Sequence, residues 1–123
     1  MNKIFDDYVA KLKLEYYKIE NIKCSVLLGE KVFFDKYGLR HLIRKDGHNR
    51  SVSQQRRRFE LLRYCRHVLE RTDADIEYRI SENYKSKAEF WGITASIDGR
   101  KIRVVLRKIN GGKLIFLSIM DYK

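Results

Sequence analysis

Two of the chain's three histidines and three of its cations fall within Gly38–His48, GLRHLIRKDGH. An imidazole titrates near neutral pH, so it can both take and give a proton. Arginine and lysine beside it would hold an anion while that proton moves. Helical spacing sorts these groups. Leu39, Leu42 and Ile43 point one way, and His41, Arg44 and Lys45 point the other. His48 falls near the same direction, past Gly47, where the helix is expected to end.

That helix needs a start and a support. Asp35 offers a side-chain oxygen to the first free backbone NH groups, and Lys31–Phe34 before it reads as a short strand. Upstream, Ile4, Phe5, Tyr8, Val9, Leu12, Tyr16 and Ile19 recur at steps of three and four and predict a helix with one apolar stripe. Ile22–Leu28 reads as a strand that turns at Gly29–Glu30 into Lys31–Phe34. Ser51 with Gln54 forms a capping box, which opens a helix running to about Arg71. Arg56, Arg57, Arg58, Arg63, Arg66 and Arg71 make that helix basic. It suits phosphate contact, a solvated face with arginine stems on apolar surface, or an acidic protein partner. His67 in it reads as structural or solvated.

From Asp75 the period changes to two. Strands are expected at Ile76–Ile80, Ala88–Ile97, Lys101–Ile109 and Leu114–Asp121. Turns at Asp98–Gly99 and Asn110–Gly111–Gly112 join them. The expected architecture is α+β: one domain over residues 1–123, mainly helical with a short hairpin over 1–72, and a four-stranded antiparallel sheet over 75–122. The N-terminal helices should pack on one face of that sheet.

Alternation assigns the two faces. Ile76, Tyr78 and Ile80 join Trp91, Ile93, Ala95 and Ile97, then Ile102, Val104 and Leu106, then Ile115, Leu117 and Ile119. This set should bury against the helices. The opposite face carries Glu77, Arg79, Phe90, Thr94, Ser96, Arg103, Arg107, Phe116, Ser118 and Tyr122. Rings beside cations suit stacked, unpaired nucleic-acid bases.

Composition narrows the classes. Of 123 residues, 44% are hydrophobic, which supports a folded core rather than a disordered tail. Lys plus Arg is 27 against 16 acidic residues, a formal charge of +11 that calls for an anionic partner. No apolar run approaches the roughly 20 residues of a membrane span. Asp6 and Asp7 interrupt any leader-like core, so the expected compartment is the cytoplasm. Cys24 and Cys65 form no CxxC pair and read as reduced core residues. There is no proline.

Metal chemistry has little support: Asp73 and Asp75 are a close carboxylate pair, with no His or Glu to complete a ligand set. No nucleophile elbow and no phosphate-binding glycine loop occur. Metal-free RNA cleavage fits the residues better. There a 2′-hydroxyl attacks the adjacent phosphate, which needs a base, an acid and positive charge at the transition state. His41 would move the proton. Arg79, Arg103, Arg107 or Lys45 would stabilise charge, and Thr94, Ser118 and Tyr122 would position the phosphate or donate a proton.

The segment GLRHLIRKDGH and the strand IFLSIMDY resemble, over Val32–Tyr122, the barnase–EndoU–colicin–RelE ribonuclease superfamily and its phage- and toxin-associated branch. The likeness lies in a His-bearing helix followed by a sheet whose last strand carries a mid-strand Ser or Thr, here Ser118. Lys45 and the displaced His48 depart from that branch's RH pair. The resemblance implies a metal-independent endoribonuclease without cofactor, often a toxin held by an acidic antitoxin or immunity protein. In that reading His41, Arg79, Arg103 and Ser118 are catalytic, and Arg44, Lys45, His48, Thr94, Arg107, Phe116 and Tyr122 hold RNA. Two other readings use the same residues: a non-catalytic RNA- or DNA-binding module, and a basic adaptor or inhibitor docked on an acidic protein.

Overall fold

The period-two segment becomes four strands, the last three joined by turns whose residues adopt positive φ. The computed structural model describes residues 3–83 and 85–122, with side chains inside the first helix described from Asp7 on. Ile4 and Phe5 of the expected stripe therefore lie outside the described side chains. β5 (Asp75–Glu82), β6 (Lys87–Ile97), β7 (Arg100–Ile109) and β8 (Leu114–Asp121) form an antiparallel meander close to the expected bounds. Asp98–Gly99 adopt positive φ as the two-residue hairpin of primed type requires, and Asn110–Gly111 adopt it within the longer four-residue connection from β7 to β8.

The sheet itself is larger than four strands and is mixed. After helix α1 (Lys3–Ile19), β1 (Asn21–Cys24) and β2 (Glu30–Phe33) form the expected hairpin, bridged by a short 3-10 turn. That hairpin adds to the meander. Val32 and Phe33 pair in parallel with Leu114 and Ile115, giving the order β1-β2-β8-β7-β6-β5. The four-stranded antiparallel expectation is thus corrected to six strands with one parallel contact. Only two residue pairs hold that contact, too few to leave a pattern in the sequence.

Past Phe33 the chain leaves β8, and its edge is covered by helices instead of a strand. α2 (Lys36–Ile43) and α3 (Val52–Leu62) pack along it, while α4 (Cys65–Leu69) covers β6 and β7. Arg58 of α3 donates to the backbone carbonyl of Ile119 at 2.6 Å, one way of satisfying an otherwise bare sheet edge. The basic helix expected to reach Arg71 is broken into α3 and α4 around Arg63–Tyr64. The break lets Cys65, Val68 and Leu69 turn onto the sheet. The capping box is present: Ser51 Oγ accepts from Gln54 N, and Gln54 Oε1 accepts from Ser51 N.

The core joins Tyr16, Ile22, Cys24, Val32, Phe34, Leu39 and Leu42 to Ile93, Ile102, Val104, Leu106 and Ile119. Cys24 and Cys65 are both buried and unbridged, as expected. Burial raises both thiol pKa values.

β8 carries an irregularity that changes its face assignment. Val105 pairs with Ser118 but Leu106 pairs with Phe116, so Leu117 is an extra residue, a β-bulge. From the bulge back, the side chains swap sides. Phe116 therefore lies in the core, fully buried and stacked on Phe34 at 4.8 Å, while Ile115 takes its place on the cationic face. The expectation that Phe116 is an exposed RNA-stacking ring is overturned.

Candidate active site

The site is built on α2. Asp35 caps it as expected, accepting from Tyr37 N at 3.0 Å and Gly38 N at 3.4 Å. Tyr37 and His41, four residues apart, share one helix face. Leu39 and Leu42 are buried on the other. Gly38 seats the helix directly on β8: a Cβ there would stand 2.5 Å from both the Phe116 carbonyl and the Tyr16 hydroxyl. That hydroxyl donates to the Asp35 carbonyl at 2.6 Å, tying α1 to the start of α2.

The helix ends at Ile43, earlier than Gly47. Asp46 and Gly47, at φ 53° and 80°, form a tight turn that draws Arg44–Lys45 (β3) and His48–Asn49 (β4) into a small hairpin. Arg44 and Lys45 are consecutive in a strand and so face opposite sides. Lys45 pairs with His48, and Arg44 turns back to donate to the Gly47 carbonyl at 2.7 Å. The picture of His41, Arg44 and Lys45 on one helix face is corrected accordingly.

The hairpin returns the chain to α2. Arg50 N donates to the Ile43 carbonyl at 2.7 Å, and Arg50 Nε to the His41 carbonyl at 2.9 Å. Buried Gln55 holds Arg50 in turn through its carbonyl at 2.8 Å. The result is an open depression of about 740 Å³ walled by Arg40, His41, Arg44, Lys45 and Arg50, with Asp46 and Gly47 at the hairpin.

From the sheet, Arg107 reaches the same face of α2. Its guanidinium carbon is 5.8 Å from the Tyr37 ring centroid. Lys36 and Arg40 also lie within 6 Å of that exposed ring. Arg107 Nε is buried and lacks a hydrogen-bond partner among the described residues. A buried donor left unpaired is costly. Burial first, then Arg107, Arg50 and Arg40 in that order, hold His41 below the ordinary histidine value of 6.5. Neutral imidazole, the form that accepts a proton, therefore prevails at neutral pH.

The other expected site residues are divided. Arg103 belongs to a separate cluster: its Nε donates to Thr94 Oγ1 at 3.0 Å, it pairs with Glu77 at 3.1 Å, and it lies 3.9 Å over the Tyr122 ring. Four residues of strand put it about 13 Å from Arg107. Arg79 stacks on Phe90 at 4.6 Å, and Phe90 is the cross-strand neighbour of Arg107. Arg79 thus stands two strands, about 10 Å, from Arg107. Ser118 is 7% exposed and accepts from Arg58 at 3.4 Å. His48 is exposed on the hairpin, and His67 is exposed on α4. The structure brings together His41, Arg107, Arg44 and Lys45, and keeps Arg103, Thr94 and Tyr122 apart from them.

Tyr37, Arg40 and Arg50 were missed by sequence reasoning. The i, i+4 spacing of Tyr37 and His41 was a usable signal. Arg50 had none, because only the hairpin returns it to α2. Among the described residues no group of three or more His, Cys, Asp or Glu side chains could hold a metal ion, and no helix is long and apolar enough to cross a membrane. No protein-family model, no curated protein and no solved structure matches this chain.

Proposed function

We propose that this protein is a small metal-independent endoribonuclease working in the cytoplasm, with His41 as its proton-transfer group. The observation that carries the reading is a neutral-leaning imidazole ringed by Arg107, Arg50 and Arg40, with an exposed aromatic ring one helical turn away. His41 takes the proton of the 2′-hydroxyl as that oxygen attacks phosphorus. The bond to the 5′-oxygen breaks, and the departing oxygen takes a proton from solvent. The guanidinium charges of Arg107 and Arg50 face the charge that builds on the phosphoryl oxygens. Tyr37 offers a stacking surface for an adjoining base.

The resemblance to the barnase–EndoU–colicin–RelE ribonucleases supports the same chemistry and a toxin-like role with an acidic antitoxin or immunity protein. Arg79 and Arg103 belong to RNA contact in this reading rather than to bond breaking, because they stand about 10 Å or more from Arg107. Binding without scission is the second reading, favoured by the three cations around Tyr37.

The test is incubation of purified protein with RNA in EDTA. Cleavage by the wild type and loss of it in His41→Ala supports the nuclease. Salt-sensitive binding with intact RNA supports the second reading and removes the first.

A further inference from the structure

β5 ends the sheet, and among the described residues nothing covers its outer edge or its apolar face. All eight of its residues are exposed. α4 reaches β6 and β7, so the apolar side of β5 carries Ile76, Tyr78 and Ile80 at 44%, 52% and 45% exposure. Of the usual devices that blunt an edge, β5 has charged side chains but neither a proline nor a bulge from Asp75 to Glu82.

We propose that this edge pairs with a second copy of itself, antiparallel, about a two-fold axis through Tyr78 and normal to the sheet. In that register Tyr78 meets its own counterpart, and Ile76 meets Ile80 of the other copy. On the opposite face Glu77 meets Arg79 of the other copy, and the symmetry makes each of these two contacts twice. Neighbouring registers fail. Shifting the axis by one residue along β5 sets Arg79 against Arg79, or Glu77 against Glu77.

Charge chooses this occupant over an acidic protein. In a chain of formal charge +11, β5 is the most acidic of the described elements, with Asp75, Glu77 and Glu82 against Arg79. A uniformly acidic strand would set a carboxylate against Glu77. A second β5, though itself net acidic, sets Arg79 against Glu77 and leaves Asp75 and Glu82 opposite neutral Ser81 and Ala74. Glu77 already holds Arg103, but it is well exposed and keeps room for a second cation. The paired sheets would run on as one, with both His41 sites retained on the same side of it.

The experiment is sedimentation equilibrium on the full chain with three sets of variants. The wild type is expected at twice the chain mass. Glu77→Arg and Arg79→Glu should each give single chains, and the two combined should restore the dimer. Tyr78→Cys provides a readout that tolerates loss of the Glu77–Arg103 pair. Paired Cα atoms stand about 4.5–5.5 Å apart, within disulfide reach, so mild oxidation should link two chains. Ser81→Cys should not link, because its counterpart lies about 20 Å away along the strand. A wild type that stays single at high concentration, a dimer indifferent to the single reversals, failed restoration by the combined reversal, or linkage through Ser81→Cys rather than Tyr78→Cys would each overturn the proposal.

Discussion

Arg50 donates through Nε to the carbonyl of His41 at 2.9 Å, so the residue that closes the cationic depression also holds the backbone of its histidine. Removing it loses both a charge and an anchor. Arg50→Ala should lower RNA cleavage by about 100-fold, the scale of a small misplacement of reacting groups. Arg50→Lys should recover little, because an ammonium lacks the guanidinium fork. Single-turnover cleavage rates, with circular dichroism to check folding, decide this.

Gly38 sets how closely α2 approaches β8. A methyl group there would overlap the Phe116 carbonyl, a backbone atom that cannot swing aside. Gly38→Ala should destabilise by about 1–3 kcal/mol, the range for overpacking. It should also displace His41 and cut activity. Chemical denaturation measures the first effect and RNA cleavage the second.

His41 links stability to pH with a definite sign. Its folded value lies below 6.5, so near that pH the unfolded chain binds more protons than the folded one. Stability should therefore fall as pH drops through 6.5 and level off below the folded value. In His41→Gln that part of the slope should vanish. Melting temperatures across this range for both proteins supply the comparison. Cleavage should keep its rate at a pH somewhat below 6.5 before the acid limb sets in, since the base remains neutral there.

Phe116 packs against Phe34 and takes no part in the cationic face. Phe116→Ala should cost about 3–5 kcal/mol of stability. Phe116→Leu should be milder and leave RNA affinity unchanged when folded protein is compared. Affinity loss from Phe116→Leu at full folding, measured by fluorescence anisotropy, would contradict this.

Phosphate contact should show in salt dependence. Arg107→Gln should weaken RNA binding and flatten the slope of log affinity against log salt by about one unit. Arg103→Gln should do less to the slope, since Glu77 already neutralises that guanidinium. It should cost stability through the lost Thr94 contact.

Features that depend on a few neighbouring residues were written openly in the chain. Asp35 and Ser51 capped helices because a side-chain oxygen reaches NH groups two or three residues on. The Asp–Gly and Asn–Gly turns closed hairpins because those residues accept positive φ. Alternation assigned most of β6 and β7 to the correct faces. The expectation that Ile76, Tyr78 and Ile80 of β5 bury against the helices is overturned, because α4 packs on β6 and β7 and leaves all three exposed. Asp46–Gly47 carried the same turn signal, yet it was read as a helix end, because the helical spacing of Arg44 and Lys45 competed with it.

The remainder was decided by contacts distant in sequence. The bulge at Leu117 follows from how β8 meets β7 and from the room for Phe116 beneath Phe34, so alternation along β8 could not reveal it. Two parallel pairs attach β2 to β8, and the edge beyond them is closed by α2 and Arg58. Only that packing sets Arg107 against Tyr37 and His41, and sends Arg103 to Glu77 and Thr94 instead. Local chemistry supplied the imidazole and the cations, whereas register and helix seating determined which of them share a site.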